Sequence, residues 1–246
     1  AVFNITALAK NNYTVVATFI SSDDKYNGNT NSTSFEVTAK STNLDVVVNP
    51  VTYGEDAKIV VLAVPAGAVR QVSEEVSFHA RKDQILVVVS KGIEPRTNLF
   101  MSDIVYQATK NENICMLAGP SFAIEIANGS KTGFNIAGPN PEATKIVKEA
   151  FENGGLVVVT CDDIIGIEVA SSMKNVFAIF MGMLDGMDML ESYKSSCLAV
   201  LVRDLGDAIV ALGGKRETIF TYAGLGDMLL TCMSPKSRNF TFGQHI

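Results

Sequence analysis

The run Ile59-Val-Val-Leu-Ala-Val64, which Pro65 ends, decides the fold class of this chain. It is apolar without alternation, which is typical of a strand buried on both faces of a parallel sheet. Ile85-Leu-Val-Val-Val89 is a second run of the same kind, and a stretch with helical spacing at about residues 66–77 separates the two. A strand, a helix and a strand in this order predict a βαβ unit.

The same alternation continues along the chain. We predict strands at residues 114–117, 134–137 and 156–160, and helices at residues 98–109 and 141–151. Before residue 57 the pattern weakens to a helix fragment at residues 6–10, a strand at residues 13–18, and a loop rich in Asn, Ser, Thr and Asp at residues 21–41. Together these elements indicate an α/β protein with a doubly wound parallel sheet.

The second part of the chain has a different period. Asp163 is a candidate N-cap, and the residues after it predict two long helices, at 165–184 and 193–212, the second of which ends at Gly213-Gly214. Helices without strands indicate a separate domain. We therefore predict a sheet domain at residues 1–163 and an all-helical domain at residues 164–246.

The composition argues against several classes of function. The 246 residues carry a net charge of −6, so neither nucleic acid nor an anionic membrane surface is expected as a partner. The four cysteines stand singly and there are two histidines, which argues against a disulfide framework and against a metal centre. No apolar run reaches the ~18 residues that a membrane span needs, and we recognise no signal peptide. We expect a soluble cytoplasmic protein.

One stretch concentrates polar groups, Ala223-Gly-Leu-Gly-Asp-Met-Leu-Leu-Thr-Cys-Met-Ser-Pro-Lys-Ser-Arg-Asn-Phe-Thr-Phe-Gly243. Asp227 and Thr231 lie four residues apart and are expected on one helix face. Ser237, Arg238 and Asn239 follow, and an arginine guanidinium matches phosphate or carboxylate oxygens two at a time. An ordinary solvated loop has the same composition, so these residues leave an anion site and a loop open.

Two lysines are further candidates. Lys174 has apolar neighbours along its helix, so its ammonium is expected in a partly desolvated site, where burial lowers a lysine pKa. The alternatives are that Lys174 reaches the surface or pairs with Glu168. Lys91 directly follows a predicted strand, at the end where open parallel sheets bind ligands, and a solvated loop lysine is the alternative. Gly119 and Ser121 also follow a strand, and Ser121 is a candidate cap for the next helix.

Together these segments resemble the NAD(P)-dependent glycerol-3-phosphate dehydrogenase family. The matching runs, in order, are residues 59–65, Val89-Ser-Lys-Gly-Ile-Glu94, Leu117-Ala-Gly-Pro-Ser-Phe-Ala-Ile-Glu125, Gly166-Ile-Glu-Val-Ala-Ser-Ser-Met-Lys-Asn-Val176 and residues 223–243. The resemblance implies a Rossmann-type domain that holds NAD or NADP, followed by a helical substrate domain. It also implies interconversion of dihydroxyacetone phosphate and sn-glycerol 3-phosphate for glycerophospholipid synthesis, and it leaves a homodimer open as the assembly.

The resemblance implies roles for single residues as well. Lys174 is the general acid and base at the C2 oxygen of the substrate, with Lys91 and Asp227 beside it. The residues implied to contact the substrate are these three together with Gly119, Ser121, Thr231, Ser237, Arg238 and Asn239. The residues implied to contact the cofactor are Lys91, Ala123, Arg238 and, at the position of the family's glycine-rich turn, Phe3 and Asn4.

Two departures from the family pattern keep alternatives open. Phe3-Asn4-Ile5 stands where a Gly-x-Gly-x-x-Gly fingerprint is expected, and without those glycines the backbone cannot approach a pyrophosphate closely. The chain also lacks an initiator Met and stops at Ile246, before further helices of the family, so we expect an incomplete chain of a working enzyme. The alternatives are a catalytically inactive dinucleotide- or phosphate-binding module and a neighbouring NAD(P)-dependent hydroxyacid dehydrogenase.

Overall fold

The computed structural model describes residues 11–19, 29–37 and 58–246 of the chain. By its internal contacts the chain divides into two compact units, residues 1–43 and 44–246. The first unit contains two antiparallel strands, β1 (Asn11–Phe19) and β2 (Asn29–Val37), with Asn11 opposite Val37 and Phe19 opposite Asn29. The strand predicted at residues 13–18 is confirmed as part of β1.

The strand β2 replaces part of a predicted loop. Its residues Thr30, Thr33, Phe35 and Val37 have branched or aromatic side chains, which favour extended backbone, and pairing with β1 satisfies backbone groups on one side of the strand. The predicted loop at 21–41 is therefore wrong between residues 29 and 37. The helix fragment predicted at residues 6–10 lies outside the described residues.

The second unit is built on a five-stranded sheet whose order in space follows the order along the chain. Its strands are β3 (Ile59–Leu62), β4 (Ile85–Val88), β5 (Ile114–Ala118), β6 (Gly133–Ala137) and β7 (Val157–Thr160). Neighbouring strands are parallel except at one pair, since β6 runs antiparallel to β5. The predicted α/β fold is confirmed, and the sheet that was predicted to be parallel is parallel except at β6.

The connection before the reversed strand β6 contains only a short helix. The helix between β5 and β6 is α3 (Ala123–Ala127), and five residues of helix rise about 7.5 Å. The five residues of β5 extend about 16 Å. α3 is therefore too short to run along the whole of β5, and the chain re-enters the sheet at the edge where β5 ends.

Both faces of the sheet are covered. The helices around it are α1 (Val69–Ser77), α2 (Met101–Thr109), α3 and α4 (Pro141–Asn153). Leu62 and Leu86 belong to a core cluster that includes residues of α1 and α2, whereas the adjacent strand residues Val61 and Val87 belong to a cluster with residues of α4. Successive strand residues therefore bury opposite faces, which explains why β3 and β4 are apolar without alternation.

The helical part follows β7. Its helices are α5 (Ile164–Gly186), α6 (Glu191–Ala211), α7 (Asp227–Cys232) and α8 (Arg238–Gln244). The predicted ends are confirmed, because Asp163 caps α5 by accepting the Gly166 N–H at 2.9 Å and Gly213, with a φ of 92°, follows α6. The division of the chain near residue 163 into a cofactor domain and a substrate domain stays a prediction.

The helix α5 is the core of the helical part and packs against α6, α7 and α8. It approaches α8 so closely that a Cβ on Gly182 would lie 2.0 Å from the Phe240 carbonyl oxygen, and one on Gly243 would lie 2.1 Å from the Ile179 carbonyl oxygen. By length and composition α5 is also the one helix among the described residues that would suffice to cross a membrane, yet 56% of its most apolar window is buried inside the fold. That burial is typical of a core helix.

Candidate active site

The first charged residue of the site stands at the carboxyl end of β4. The Ser90 hydroxyl donates to the Val64 carbonyl oxygen at 2.5 Å and so ties the segments that follow β3 and β4 together. Lys91 comes next, and Gly92, with a φ of 133°, turns the chain in a conformation that other residues rarely adopt. Because β3, β4 and β5 are parallel, Lys91 lies at the edge where all three strands end.

Asp227 opens α7 and is fully buried. Lys91 Nζ lies 2.7 Å from its Oδ2 atom, and Lys174 Nζ from α5 lies 2.5 Å from its Oδ1 atom. Thr231 follows one turn later on α7, with its Oγ1 atom 3.3 Å from Lys174 Nζ. We call Lys91, Lys174, Asp227 and Thr231 the lysine–aspartate cluster, in which two ammonium groups face one carboxylate.

The turn before α7 directs Asp227 into the cluster. Residues 222–226 form one wide helical turn, in which Thr221 Oγ1 accepts the Gly224 N–H at 3.1 Å. Gly224 has a non-helical φ of −85° and ψ of −105°, and a Cβ there would lie 2.4 Å from the Ile219 carbonyl oxygen. Glycine at position 224 is therefore a packing requirement of the turn that leads to Asp227.

Burial is the main influence on the Lys174 ammonium. The side chain is 11% exposed, and desolvation lowers its pKa from 10.5 to about 8. The Asp227 carboxylate offsets part of this effect on the pKa, and the Lys91 ammonium lowers the pKa further. An amine with a pKa close to neutrality both donates and accepts protons at physiological pH, which suits it to general acid–base chemistry.

The alternative in which Lys174 pairs with Glu168 is wrong. The two residues lie six apart on α5, which places them on different faces of the helix. Glu168 instead accepts hydrogen bonds from the Ser102 N–H at 2.9 Å and from the Ser102 hydroxyl at 2.7 Å, at the start of α2. Burial raises the pKa of Glu168 to about 7, so its carboxyl group is partly neutral near physiological pH.

Residues 237–239 lie at the start of α8. Ser237 Oγ accepts the Phe240 N–H at 3.3 Å and caps this helix, and Asn239 Nδ2 donates to Asn175 Oδ1 at 2.8 Å. Arg238 is exposed and has no hydrogen-bond or ion-pair partner in the part of the chain that the structure describes. Its guanidinium is therefore available to an anionic ligand.

Three of the other predicted residues follow β5. The Gly119 carbonyl oxygen accepts from Lys91 Nζ at 3.2 Å, and a Cβ on Gly119 would lie 2.4 Å from the Gly133 carbonyl oxygen. The prediction that Ser121 caps the next helix is wrong, because Phe122 holds the N-cap position of α3 and its side chain makes no capping bond. Ala123 is the first residue of α3. The predicted cofactor residues Phe3 and Asn4 lie outside the described residues.

The structure thus joins Lys91, Lys174, Asp227 and Thr231 directly, and Gly119 through its carbonyl oxygen. Asn239 is hydrogen-bonded to Asn175, the residue after Lys174 on α5, and Asn175 was not among the residues predicted from the sequence. The sequence feature that could have identified Asn175 is an amide side chain directly after Lys174 in an otherwise apolar helix. The contacts of all the predicted site residues with substrate or cofactor stay predictions.

A cavity of about 620 Å³ lies away from the cluster. It is lined by residues of α4, of the loop after α3 and of the start of β3, among them Phe151, Ile126 and Ile59, and by no member of the cluster. Within the described residues no group of three His, Cys, Asp or Glu side chains is placed to hold a metal ion. Charge and hydrogen bonding therefore favour the lysine–aspartate cluster over this apolar cavity as the candidate site.

Comparison with known proteins identifies two family models that match the chain. The model described as the NAD-dependent glycerol-3-phosphate dehydrogenase N-terminus matches residues 7–144, and the model for the C-terminus of the same family matches residues 163–246. The glycerol-3-phosphate dehydrogenase (NAD(P)+) of Listeria innocua is 35% identical over 192 residues, which cover 77% of this chain and 57% of that protein. The enzyme of the same name from Fusobacterium nucleatum is 35% identical over 187 residues, 75% of this chain and 56% of that protein.

Solved structures agree with this match. The glycerol-3-phosphate dehydrogenase of Coxiella burnetii is 27% identical with a TM-score of 0.72, over 76% of this chain and 57% of that chain. The glycerol-3-phosphate dehydrogenase of Saccharomyces cerevisiae, 19% identical over 78% of this chain and 57% of that chain, supports the fold with a TM-score of 0.69. The chain spans a little more than half the length of the relatives that it matches.

Proposed function

Because this chain belongs to the NAD-dependent glycerol-3-phosphate dehydrogenase family, we propose that the protein interconverts dihydroxyacetone phosphate and sn-glycerol 3-phosphate by hydride transfer with NAD or NADP. One observation carries the proposal. Lys91 and Lys174 meet on the buried carboxylate of Asp227, at the edge where β3, β4 and β5 end. A ketone reductase needs a positioned proton donor of this kind beside the carbonyl oxygen.

Binding of the substrate depends on charge. Lys91 and Lys174 together exceed the charge of Asp227 by one positive unit, and Arg238 adds an exposed guanidinium without a partner among the described residues. A guanidinium binds phosphate oxygens two at a time. We assign Arg238 to the substrate phosphate, with Ser237 and Asn239 as neutral donors, and Lys174 to the C2 oxygen. Gly119, Ser121 and Thr231 complete the proposed substrate site.

The described residues fit a dinucleotide. The three parallel strands β3, β4 and β5 end at one edge, which is where doubly wound sheets bind such cofactors. Lys91, Ala123 and Arg238 are the described residues that we assign to the cofactor, and Phe3 and Asn4 belong to the same assignment. When bound, NADH or NADPH supplies the hydride and its oxidised form takes the hydride up.

The residues of this chain handle the proton. As hydride adds to C2 of dihydroxyacetone phosphate, the electron pair of the C=O bond moves to the oxygen, and the Lys174 ammonium transfers a proton to that oxygen. The product is sn-glycerol 3-phosphate, and Lys174 is left as a neutral amine. In the reverse direction the neutral amine accepts the hydroxyl proton while C2 loses its hydride. Asp227 holds the Lys174 ammonium in place through its Oδ1 atom.

The decisive experiment uses the full-length protein. Absorbance of NADH or NADPH should fall when dihydroxyacetone phosphate is added, and should stay constant without it. Turnover with a 2-keto acid and none with dihydroxyacetone phosphate would instead indicate a hydroxyacid dehydrogenase. Tight binding of NADH with no turnover of either ketone would indicate an inactive dinucleotide-binding module.

The proposed reaction has a setting in the cell. sn-Glycerol 3-phosphate is the backbone precursor of glycerophospholipids, and we propose that the protein supplies it in the cytoplasm. A homodimer is the proposed assembly, which analytical ultracentrifugation of the full-length protein would test. A purely monomeric protein that is fully active would contradict that assembly without affecting the proposed reaction.

A further inference from the structure

Asn135 is a polar residue buried in the middle of β6, with 3% of its surface exposed. Its Oδ1 atom accepts the Ala223 N–H at 3.0 Å, and its Nδ2 atom lies 3.4 Å from the Val159 carbonyl oxygen on β7. One partner is a donor and the other an acceptor, so a single orientation of the amide satisfies both. Asn135 therefore links the sheet to the turn that precedes α7.

The linked turn leads directly to the candidate active site. Ala223 precedes Asp227 by four residues, which is about one helical turn. A second contact docks the same turn on β6, because a Cβ on Gly133 would lie 2.8 Å from the ring of Tyr222. The side-chain bond from Asn135 and the close packing of Tyr222 on Gly133 thus hold consecutive residues of the turn against one strand.

Asp227 must be placed accurately because its two oxygens bind lysines from two different parts of the fold. Lys174 reaches Oδ1 from α5, and Lys91 reaches Oδ2 from the segment after β4. The Asp227 carboxylate raises the pKa of Lys174 and the Lys91 ammonium lowers it. A small displacement of the turn lengthens one of these ion pairs, and a misplacement of about 1 Å in a catalytic arrangement can cost about a hundredfold in rate.

We propose that Asn135 is a positioning residue, which holds Asp227 in register with both lysines by fixing the turn at Ala223 to β6. Its kinetic consequence rests on the proposed dehydrogenase function, whereas its effect on the Lys174 environment does not. Asn135 is bonded to Ala223, which lies about one helical turn before Asp227, and it therefore acts through Asp227.

The test replaces the amide by an apolar group of similar size, Asn135→Leu, in the full-length protein. The ion pair from Asp227 raises the pKa of Lys174, so a displaced Asp227 leaves this pKa lower than in the wild type. Titration of the Lys174 ammonium by NMR should show this decrease with or without turnover. The kcat for dihydroxyacetone phosphate should fall by about 10- to 100-fold, and the alkaline decline of activity should begin at a lower pH.

The matched control is Ile136→Ala on the same strand. Ile136 is fully buried in the core cluster on the α4 side of the sheet, so its truncation lowers stability without touching the turn. Asn135→Asp retains an acceptor for the Ala223 N–H and should recover part of the wild-type Lys174 pKa. If Asn135→Leu does not fold, Asn135→Ser, whose hydroxyl is too short to reach both partners, has the same expected effect.

The outcomes separate the two proposals. A Lys174 pKa and a pH profile in Asn135→Leu or Asn135→Ser that match those of Ile136→Ala would show that Asn135 only stabilises the fold, and the positioning role would be overturned. A wild-type protein that does not reduce dihydroxyacetone phosphate would overturn the proposed function, while the NMR titration would still decide the role of Asn135.

Discussion

The lysine–aspartate cluster and the start of α8 contain the charged groups assigned to one substrate, but they differ in how those groups are satisfied. In the cluster, Asp227 is buried and each of its oxygens accepts from an ammonium group. At the start of α8, Arg238 is exposed and lacks a partner among the described residues, although its neighbours Ser237 and Asn239 are both hydrogen-bonded.

This difference separates the residues that act on the reaction from the residue that binds the substrate. Buried charges that are already oriented need no reorganisation when charge develops on a reacting oxygen, so they act mainly on the transition state. An exposed guanidinium is stable in water without a partner and contributes when an anion arrives, to bound substrate and transition state alike. We therefore expect effects on kcat for the cluster and effects on KM for Arg238 at the start of α8.

Removal of the Lys174 ammonium should have the largest effect. Lys174→Ala deletes the proton donor and one of the two cations that face Asp227, so kcat should fall by roughly 10²- to 10⁴-fold while NADH still binds. Steady-state kinetics and nicotinamide fluorescence measure the two quantities. Lys194→Ala is the control, because Lys194 pairs with Asp185 on the helical part, outside the cluster. A near-normal kcat in Lys174→Ala would leave Lys174 as a structural residue.

A buried carboxylate outside the cluster should affect stability, not turnover. The pKa of Glu168 is about 7 against 4.5 for a free carboxyl, a difference that corresponds to about 3 kcal/mol. Between these pH values the folded chain keeps its proton while the unfolded chain loses it, so the stability of the wild type decreases as pH rises from 4.5 to 7.

The variant Glu168→Gln removes this titration and keeps partners for both Ser102 groups. Relative to the wild type, its free energy of unfolding should rise by about 3 kcal/mol between pH 4.5 and 7, as measured by urea unfolding. Glu149→Gln, at an exposed position on α4, should show no such trend. A loss of kcat comparable to that of Lys174→Ala would instead mean that Glu168 takes part in the reaction.

Arg238→Lys tests the proposed role of Arg238 in binding the substrate phosphate. The substitution keeps the charge and loses the bidentate fork, so KM for dihydroxyacetone phosphate should rise by an amount equivalent to about 1–3 kcal/mol, with kcat changed much less. Arg203→Lys is the matched control, since Arg203 is exposed on α6 and pairs with its neighbour Asp204. A decrease in kcat with an unchanged KM would mean that Arg238 acts on the transition state, as the cluster does.

The last prediction concerns the pH dependence of the wild-type activity. Reduction of the ketone needs the protonated form of Lys174, whose pKa is about 8. The kcat/KM for dihydroxyacetone phosphate should therefore be level below pH 8 and fall about tenfold per pH unit above it. Oxidation of sn-glycerol 3-phosphate needs the neutral amine, so its kcat/KM should rise about tenfold per pH unit below pH 8 and be level above it. Parallel profiles in both directions would exclude Lys174 as the group that titrates.

The sequence by itself determined the strands of the five-stranded sheet and the two long helices, but it missed β2. Continuous apolar runs predicted β3 and β4, and the change of period after residue 163 predicted the two long helices. Asp163 and Gly213 marked helix ends that the structure confirms. These features can be predicted from the sequence because hydrophobic periodicity and helix capping depend on residues that lie close together in the chain. The family match extends the same local patterns over most of the chain.

The residues by themselves did not determine which side chains meet. The family resemblance implied that Lys91 and Asp227 lie beside Lys174, and the tertiary structure decided the contacts. Lys174 was a single candidate with Glu168 as an alternative partner, and the packing of α5 against α7 gave it Asp227 instead, 53 residues away in the chain. Lys91 joins the same carboxylate across 136 residues, and Asn135 reaches Ala223 across 88 residues. No local pattern records these distances, because a side chain's partner across the fold is set by how helices and strands pack, not by its neighbours in sequence.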